Sequence, residues 1–258
     1  MLIRSTWTLK PVREAVLPPT YTVELIKQLH VQMGLPFEHE IVPAITYSGL
    51  LGQVSTARDY VTFNSEQVYQ LTIGGLQADT SSAIAALELG EQLEILGTQF
   101  QVCDRRDVKT SYESLYHDYL ASEPVPQYRF LMQFLTPTAF SQGRLNLPLP
   151  MPALMFRSWL ERWNHFASIY LGSQDLIQYL SEAVALTQHR LQTRTFSMSR
   201  NRVTGFTGQV TLQILSRTDP LLCNVANLLM HYAPFVGTGV KTRLGMGVTM
   251  LEIQDYKK

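Results

Sequence analysis

Gly237-Thr-Gly239 and Gly245-Met-Gly247 place four glycines in eleven residues, with Lys241 and Arg243 between the two pairs. A glycine backbone turns through conformations closed to other residues and can approach a ligand closely. No acidic residue lies among them, so bare N–H groups and two cations can face a phosphate together. The chemistry this segment suits is the binding of a polyanion. Cys103 and Cys223 lie 120 residues apart in apolar stretches, match no metal-ligand spacing, and read as small buried thiols.

The flanking elements decide which polyanion. Asp219-Pro220 and the apolar run to His231 predict a helix with an acidic N-cap and proline in its first turn. Val248–Ile253 predicts a short strand. The order is helix, glycine loop, strand, whereas dinucleotide and P-loop sites need strand, loop, then a helix whose N-terminus meets the phosphate. Mononucleotide or dinucleotide binding is therefore not expected. Charge points the same way. Residues 1–125 hold 8 Lys/Arg against 15 Asp/Glu, and residues 126–258 hold 13 against 6, so a formal charge of zero hides an acidic half and a basic half. An anionic ligand for the C-terminal half follows.

The elements that must position these residues fall into two similar sets. Ile3, Ser5, Trp7 and Leu9 alternate with Arg4, Thr6, Thr8 and Lys10, as in a half-buried strand. Pro18-Pro19-Thr20 precedes a predicted helix from Tyr21 to Met33, ended by Gly34. Strands are expected at Ala44–Leu50, Tyr60–Asn64 and Val68–Ile73, then a helix from Asp79 with Ile84, Leu87 and Leu93 at helical spacing, and a strand around Gln99–Cys103. Residues 122–128 read as a linker. The second half is expected to run from a strand at Tyr128–Leu135, through a turn at Thr136-Pro137-Thr138, to helices at Ala153–Trp163 and about Ser173–Arg190. Strands at Arg194–Ser199 and Gly208–Leu215, the Asp219 helix and the last strand complete it. Both halves read β-α-β-β-α-β, the second with an extra helix. The expected fold class is α+β, two ferredoxin-like (RRM-like) domains in tandem: residues 1–125, and residues 126–258 with the glycine-rich loop. No sequence repeat relates them.

A chain of 258 residues with 45% hydrophobic content can pack two cores. No run of 18 apolar residues and no signal-peptide pattern are present, so a cytoplasmic protein, not a membrane protein, is expected. No cofactor and no metal are expected.

Three stretches give the chain a family resemblance. They are Phe235–Gly247; Phe134–Phe140 with Leu147–Pro152 and Phe156–Trp163; and Thr204-Gly-Phe-Thr-Gly-Gln-Val210. Together they resemble the CRISPR precursor-RNA processing endoribonucleases of the RAMP superfamily, closely in the C-terminal half and more weakly in the N-terminal half. The resemblance implies an enzyme that binds a repeat-derived RNA and cuts it without metal. The RNA's own 2′-OH attacks, leaving a 2′,3′-cyclic phosphate and a 5′-OH. Its partners would be CRISPR repeat RNA, as precursor and as retained guide, and other subunits of a CRISPR effector complex. The alternative is a non-catalytic RNA-binding subunit of such a complex.

The resemblance also orders the candidates. His30, on the first helix, stands where the family carries a catalytic side chain; it borders the apolar stripe, so a packed core histidine is the competing reading. His39, between Glu38 and Glu40, stands where the family often places a second histidine; two flanking carboxylates favour its cation, as a general acid needs. Solvent exposure is its plain alternative. Tyr47 could orient the scissile phosphate or simply fill the core. RNA contacts are expected from Gly237, Gly239, Lys241, Arg243, Gly245 and Gly247, from Arg194, Arg200 and Arg202, and from Arg157 on the Trp-containing helix.

Overall fold

A computed structural model describes residues 1–37, 41–198 and 201–252. The chain forms two compact units. One comprises Met1–Lys109 with Ser197–Arg202 and Arg243–Gly245; the other comprises Thr110–Phe196, Val203–Thr242 and the chain from Met246. The expected boundary at residue 125 therefore moves to about 109. The short helix Tyr112–Tyr116 explains the difference, because Tyr112 packs at 5.1 Å from Trp163 and its hydroxyl lies 3.3 Å from that of Tyr232. Among the described residues, no helix is long and apolar enough to cross a membrane.

In the first unit the strand Leu2–Pro11 buries Ile3, Trp7 and Leu9 and turns Arg4, Thr6, Thr8 and Lys10 outward. It pairs antiparallel with Tyr69–Gly75, whose other edge takes Ile45–Leu51. The sheet continues from Leu2–Pro11 to Thr98–Thr110 and then Gln92–Ile95. With helices Tyr21–Gln32 and Ala78–Ala86, this is the ferredoxin-like order plus one hairpin strand. Leu93 does not continue the second helix: Leu87 turns to an extended conformation and Gly90 takes φ +68, and Leu93 is buried in the hairpin strand. Val61–Phe63 pairs with Ala15–Leu17 and Ser55–Thr56 in a small separate sheet.

The second unit has the sheet order Val184–Ser197, Arg202–Ile214, Arg129–Thr138, Thr249–Glu252, again the ferredoxin-like arrangement. Helices Pro152–Phe166, Gln174–Ala183 and Pro220–Val236 complete it. Trp159 and Trp163 are fully buried, at roughly 2–3 kcal/mol each for such large side chains. Two expectations fail here. The stretch read as helix to Arg190 stops at Ala183, and Val184–Ser197 is instead one arm of a long hairpin, with its middle exposed. Pairing with Arg202–Ile214 overrides the local helical spacing. Thr136-Pro137-Thr138 is not a turn: the strand runs through it, and Pro137 uses only its carbonyl, which accepts from the Gly247 N–H at 3.1 Å.

Candidate active site

The first helix brings His30 to the site because Leu25, Ile26 and Leu29 must be buried, and a residue four after Ile26 shares that face. The imidazole is 3% exposed. Gly34 closes the helix at φ +65, a conformation that suits glycine, while the Leu35 N–H donates to the His30 carbonyl at 3.0 Å. The chain thus doubles back, and the Phe37 ring meets the His30 ring edge-on, centroids 5.0 Å apart at 85°. From the strand Ile45–Leu51, Tyr47 reaches the same imidazole at 5.5 Å and 43°. The Arg243 guanidinium lies over the Phe37 ring, 4.9 Å from its centroid. Helix, loop, strand and the 3₁₀ turn Thr242–Leu244 therefore converge on one cluster.

Tyr47 is 1% exposed, and its hydroxyl has no hydrogen-bond partner among the described residues. Burial drives its pKa far up, while the charge of Arg243 pulls it the other way. The phenol stays protonated at any physiological pH, so it can donate a hydrogen bond and cannot act as a base. Holding that donor without an acceptor costs about 1–3 kcal/mol. Tyr47→Phe is therefore expected to leave the melting temperature unchanged or slightly raised in a thermal melt; a clear fall would mean that the hydroxyl is hydrogen-bonded.

The glycine loop is built differently from its sequence reading. Gly237, Gly239, Gly245 and Gly247 are all buried. The Gly237 N–H donates to the Ala233 carbonyl at 2.8 Å, Gly239 N–H to Ser158 Oγ at 2.9 Å, and Gly247 N–H to the Pro137 carbonyl at 3.1 Å. Three of the four amides expected to face phosphate are thus spent on the protein. What demands glycine is close packing: a Cβ on Gly239 would stand 2.2 Å from the Ala139 carbonyl oxygen, and one on Gly247 2.1 Å from that of Thr238. Trp159 Nε1 donates to Thr238 Oγ1 at 2.9 Å, and Arg162 Nη2 donates to the Gly239 carbonyl at 2.6 Å.

Arg162 is a buried cation absent from the candidates named in the sequence. It also donates to Ser158 Oγ at 2.7 Å, and burial lowers its pKa. Its place four residues after Ser158 and three after Trp159 on an apolar helix was the available signal.

The remaining candidates are spread out. Lys241 is exposed at φ +57, unusual for a residue with a side chain. Arg157 is exposed on its helix, and Arg194 is exposed on the hairpin, donating to Gln192 Oε1 at 2.9 Å. Arg202 lines a hollow with Thr20, Arg58, Asp59 and Asn201. His39 and Arg200 lie outside the described residues. His231, expected at a helix end, sits inside Pro220–Val236, stacked at 4.1 Å on Tyr119, with Nδ1 3.0 Å from that hydroxyl. Burial lowers its pKa to about 4, so it is neutral at physiological pH.

Residues 132–249 match the family model described as CRISPR-associated endoribonuclease Cas6. Over 245 residues the chain is 26% identical to a Mycobacterium tuberculosis protein of that description, covering 95% of this chain and 72% of the relative. The chain is similar to the Cas6 endoribonucleases, most clearly in its C-terminal half. A Streptococcus thermophilus Cas6 is 30% identical over 127 residues, 49% of this chain, and the chain matches only about half of that relative's length (51%). Among solved structures, Thermus thermophilus Cas6 superposes with a TM-score of 0.70 at 19% identity, covering 98% of both chains. A Cas6 product complex gives 0.73 at 18%, covering 98% of this chain and all of that one. These structural matches establish the Cas6 fold, two ferredoxin-like domains in tandem.

Proposed function

We propose that this chain is an endoribonuclease that cuts CRISPR precursor RNA within its repeats, without a metal ion. The observation that carries the reading is a run of contacts that links Tyr47 to the His30 ring, that ring to Phe37, and Phe37 to the Arg243 guanidinium. The reaction needs three things of a protein: removal of the 2′-OH proton, delivery of a proton to the departing 5′ oxygen, and stabilisation of charge on the phosphorus oxygens. The 2′-oxygen forms a bond to phosphorus as the bond from phosphorus to the 5′-oxygen breaks. A 2′,3′-cyclic phosphate and a 5′-OH result.

His30 has the chemistry for one proton transfer near neutral pH. His39, nine residues on and flanked by two glutamates, takes the other. Tyr47 donates a neutral hydrogen bond to a phosphate oxygen, and Arg243 supplies the compensating charge. In this reading the N-terminal half carries the acid–base groups. The basic residues of the C-terminal half, Arg157, Arg194, Arg200, Arg202 and Lys241, hold the sugar–phosphate chain. The glycine loop contributes shape, which fixes where Lys241 and Arg243 emerge, rather than a cradle of amides. Relatives named as Cas6 endoribonucleases, and related structures titled as product and substrate-mimic complexes, support the substrate assignment.

Incubating the chain with a CRISPR repeat RNA in excess EDTA tests the proposal. Cleavage at one position, with rates within about 2-fold of those in Mg²⁺, is the expected result. Binding without cleavage under every ionic condition would instead assign a non-catalytic RNA-binding role.

A further inference from the structure

Phe37 has features that core packing does not explain. It is 38% exposed, in a loop beyond the helix, yet one of its faces carries the Arg243 guanidinium and its ring abuts the His30 imidazole. A phenyl ring can neither move a proton nor hydrogen-bond to phosphate. It can hold a cation over its face and fix the approach of a second ring. The imidazole meets two rings, Phe37 at 5.0 Å and Tyr47 at 5.5 Å. The backbone prepares this: Gly34 at φ +65 and the bond from Leu35 N–H to the His30 carbonyl reverse the chain, and Leu35 packs on the core of the first unit.

We propose that Phe37 is a positioning residue that sets the spacing between the His30 imidazole and the Arg243 guanidinium. Resting on the nuclease reading above, this spacing makes proton transfer and charge stabilisation act on the same phosphodiester. Misplacing a group by about 1 Å can cost on the order of 100-fold in rate, so a neutral spacer between two working groups has large leverage. A ring with a cation-binding face is required; an aliphatic side chain of similar volume fills the space but offers no face to Arg243.

The test uses the full chain with Phe37→Ala, Phe37→Leu and Phe37→Tyr, each checked for a wild-type melting temperature. Single-turnover cleavage of the repeat RNA at saturating enzyme is read beside the dissociation constant for that RNA. Phe37→Ala and Phe37→Leu are expected to cut about 10- to 100-fold more slowly with binding within about 3-fold of wild type, and Phe37→Tyr to recover to within about 3-fold. In an Arg243→Ala background, Phe37→Ala should cost less than about 3-fold further. Wild-type rates in Phe37→Leu, equal losses of rate and binding, or additive losses with Arg243→Ala would overturn the assignment. His30→Ala run in parallel separates the two levels. If it retains full rate, the nuclease reading of the site fails; if it is inactive while Phe37→Leu is normal, only the role of Phe37 fails.

Discussion

His30→Ala is expected to lower the single-turnover rate of repeat-RNA cleavage by about 1,000-fold, while the RNA dissociation constant changes by less than about 3-fold. Positioned proton transfer contributes on the order of 100- to 10,000-fold, and among the described residues His30 is the one histidine in ring contact with Tyr47 and Phe37. The competing reading, a histidine that merely fills the core, makes the opposite prediction. Removing a side chain that is 3% exposed would then cost stability and leave the rate of the folded fraction intact. Measuring thermal melting beside cleavage separates them, because a purely structural histidine moves the first and spares the second.

Gly239→Ala is the substitution with the largest expected effect on stability. Its φ of +80 costs an L-residue roughly 1–2 kcal/mol. The added Cβ, 2.2 Å from the Ala139 carbonyl oxygen, must also push apart two backbone segments joined by the bond from Val240 N–H to that oxygen. A total of about 3 kcal/mol is expected, which for a protein of this size lowers the melting temperature by about 6–12 °C. Gly143→Ala is the control: φ is +60 there, but nothing lies within 4 Å of the new Cβ, so only the backbone cost of roughly 1–2 kcal/mol remains and a shift of about 2–8 °C is expected. Equal melting temperatures for the two variants would show that the close approach at Gly239 relaxes at little cost.

Much of the fold was written in local patterns. Alternation at Ile3, Trp7 and Leu9 marked the first strand, and Asp219-Pro220 marked the last helix, whose N-cap carboxylate accepts from the Leu221 N–H at 2.9 Å. Paired twice in β-α-β-β-α-β order, such elements pointed to the tandem arrangement. What failed was set by distant partners. Val184–Ser197 is a strand only because Arg202–Ile214 lies beside it, and Thr136–Thr138 stays extended because Phe206 and the loop at Gly247 pair with it. The glycine loop was recognised by its composition, but its amides were read as open when most of them bind protein. A sequence cannot show that Ser158 and Pro137 already occupy them.

The candidate site was half legible. His30 and Tyr47 were singled out as possible catalytic groups and Arg243 as an RNA contact; in the structure His30 meets both Tyr47 and Phe37, and Arg243 lies over Phe37. Phe37 carried no periodic signal, standing as a single aromatic after Gly34 and Pro36. Its importance comes from the chain reversal at Gly34, a three-dimensional fact. Arg162 was not among the sequence candidates, yet its guanidinium binds the Gly239 carbonyl and the side chain of Ser158.

The most direct test removes a single oxygen atom from the substrate. A repeat RNA carrying 2′-deoxyribose at the nucleotide on the 5′ side of the cut is incubated with the wild-type chain in EDTA, beside the all-ribose RNA. The account predicts unchanged binding, no cleavage of the deoxy-substituted RNA, and 2′,3′-cyclic phosphate with 5′-OH ends from the control. Cleavage of the deoxy-substituted RNA, or a 5′-phosphate on the product, would contradict it.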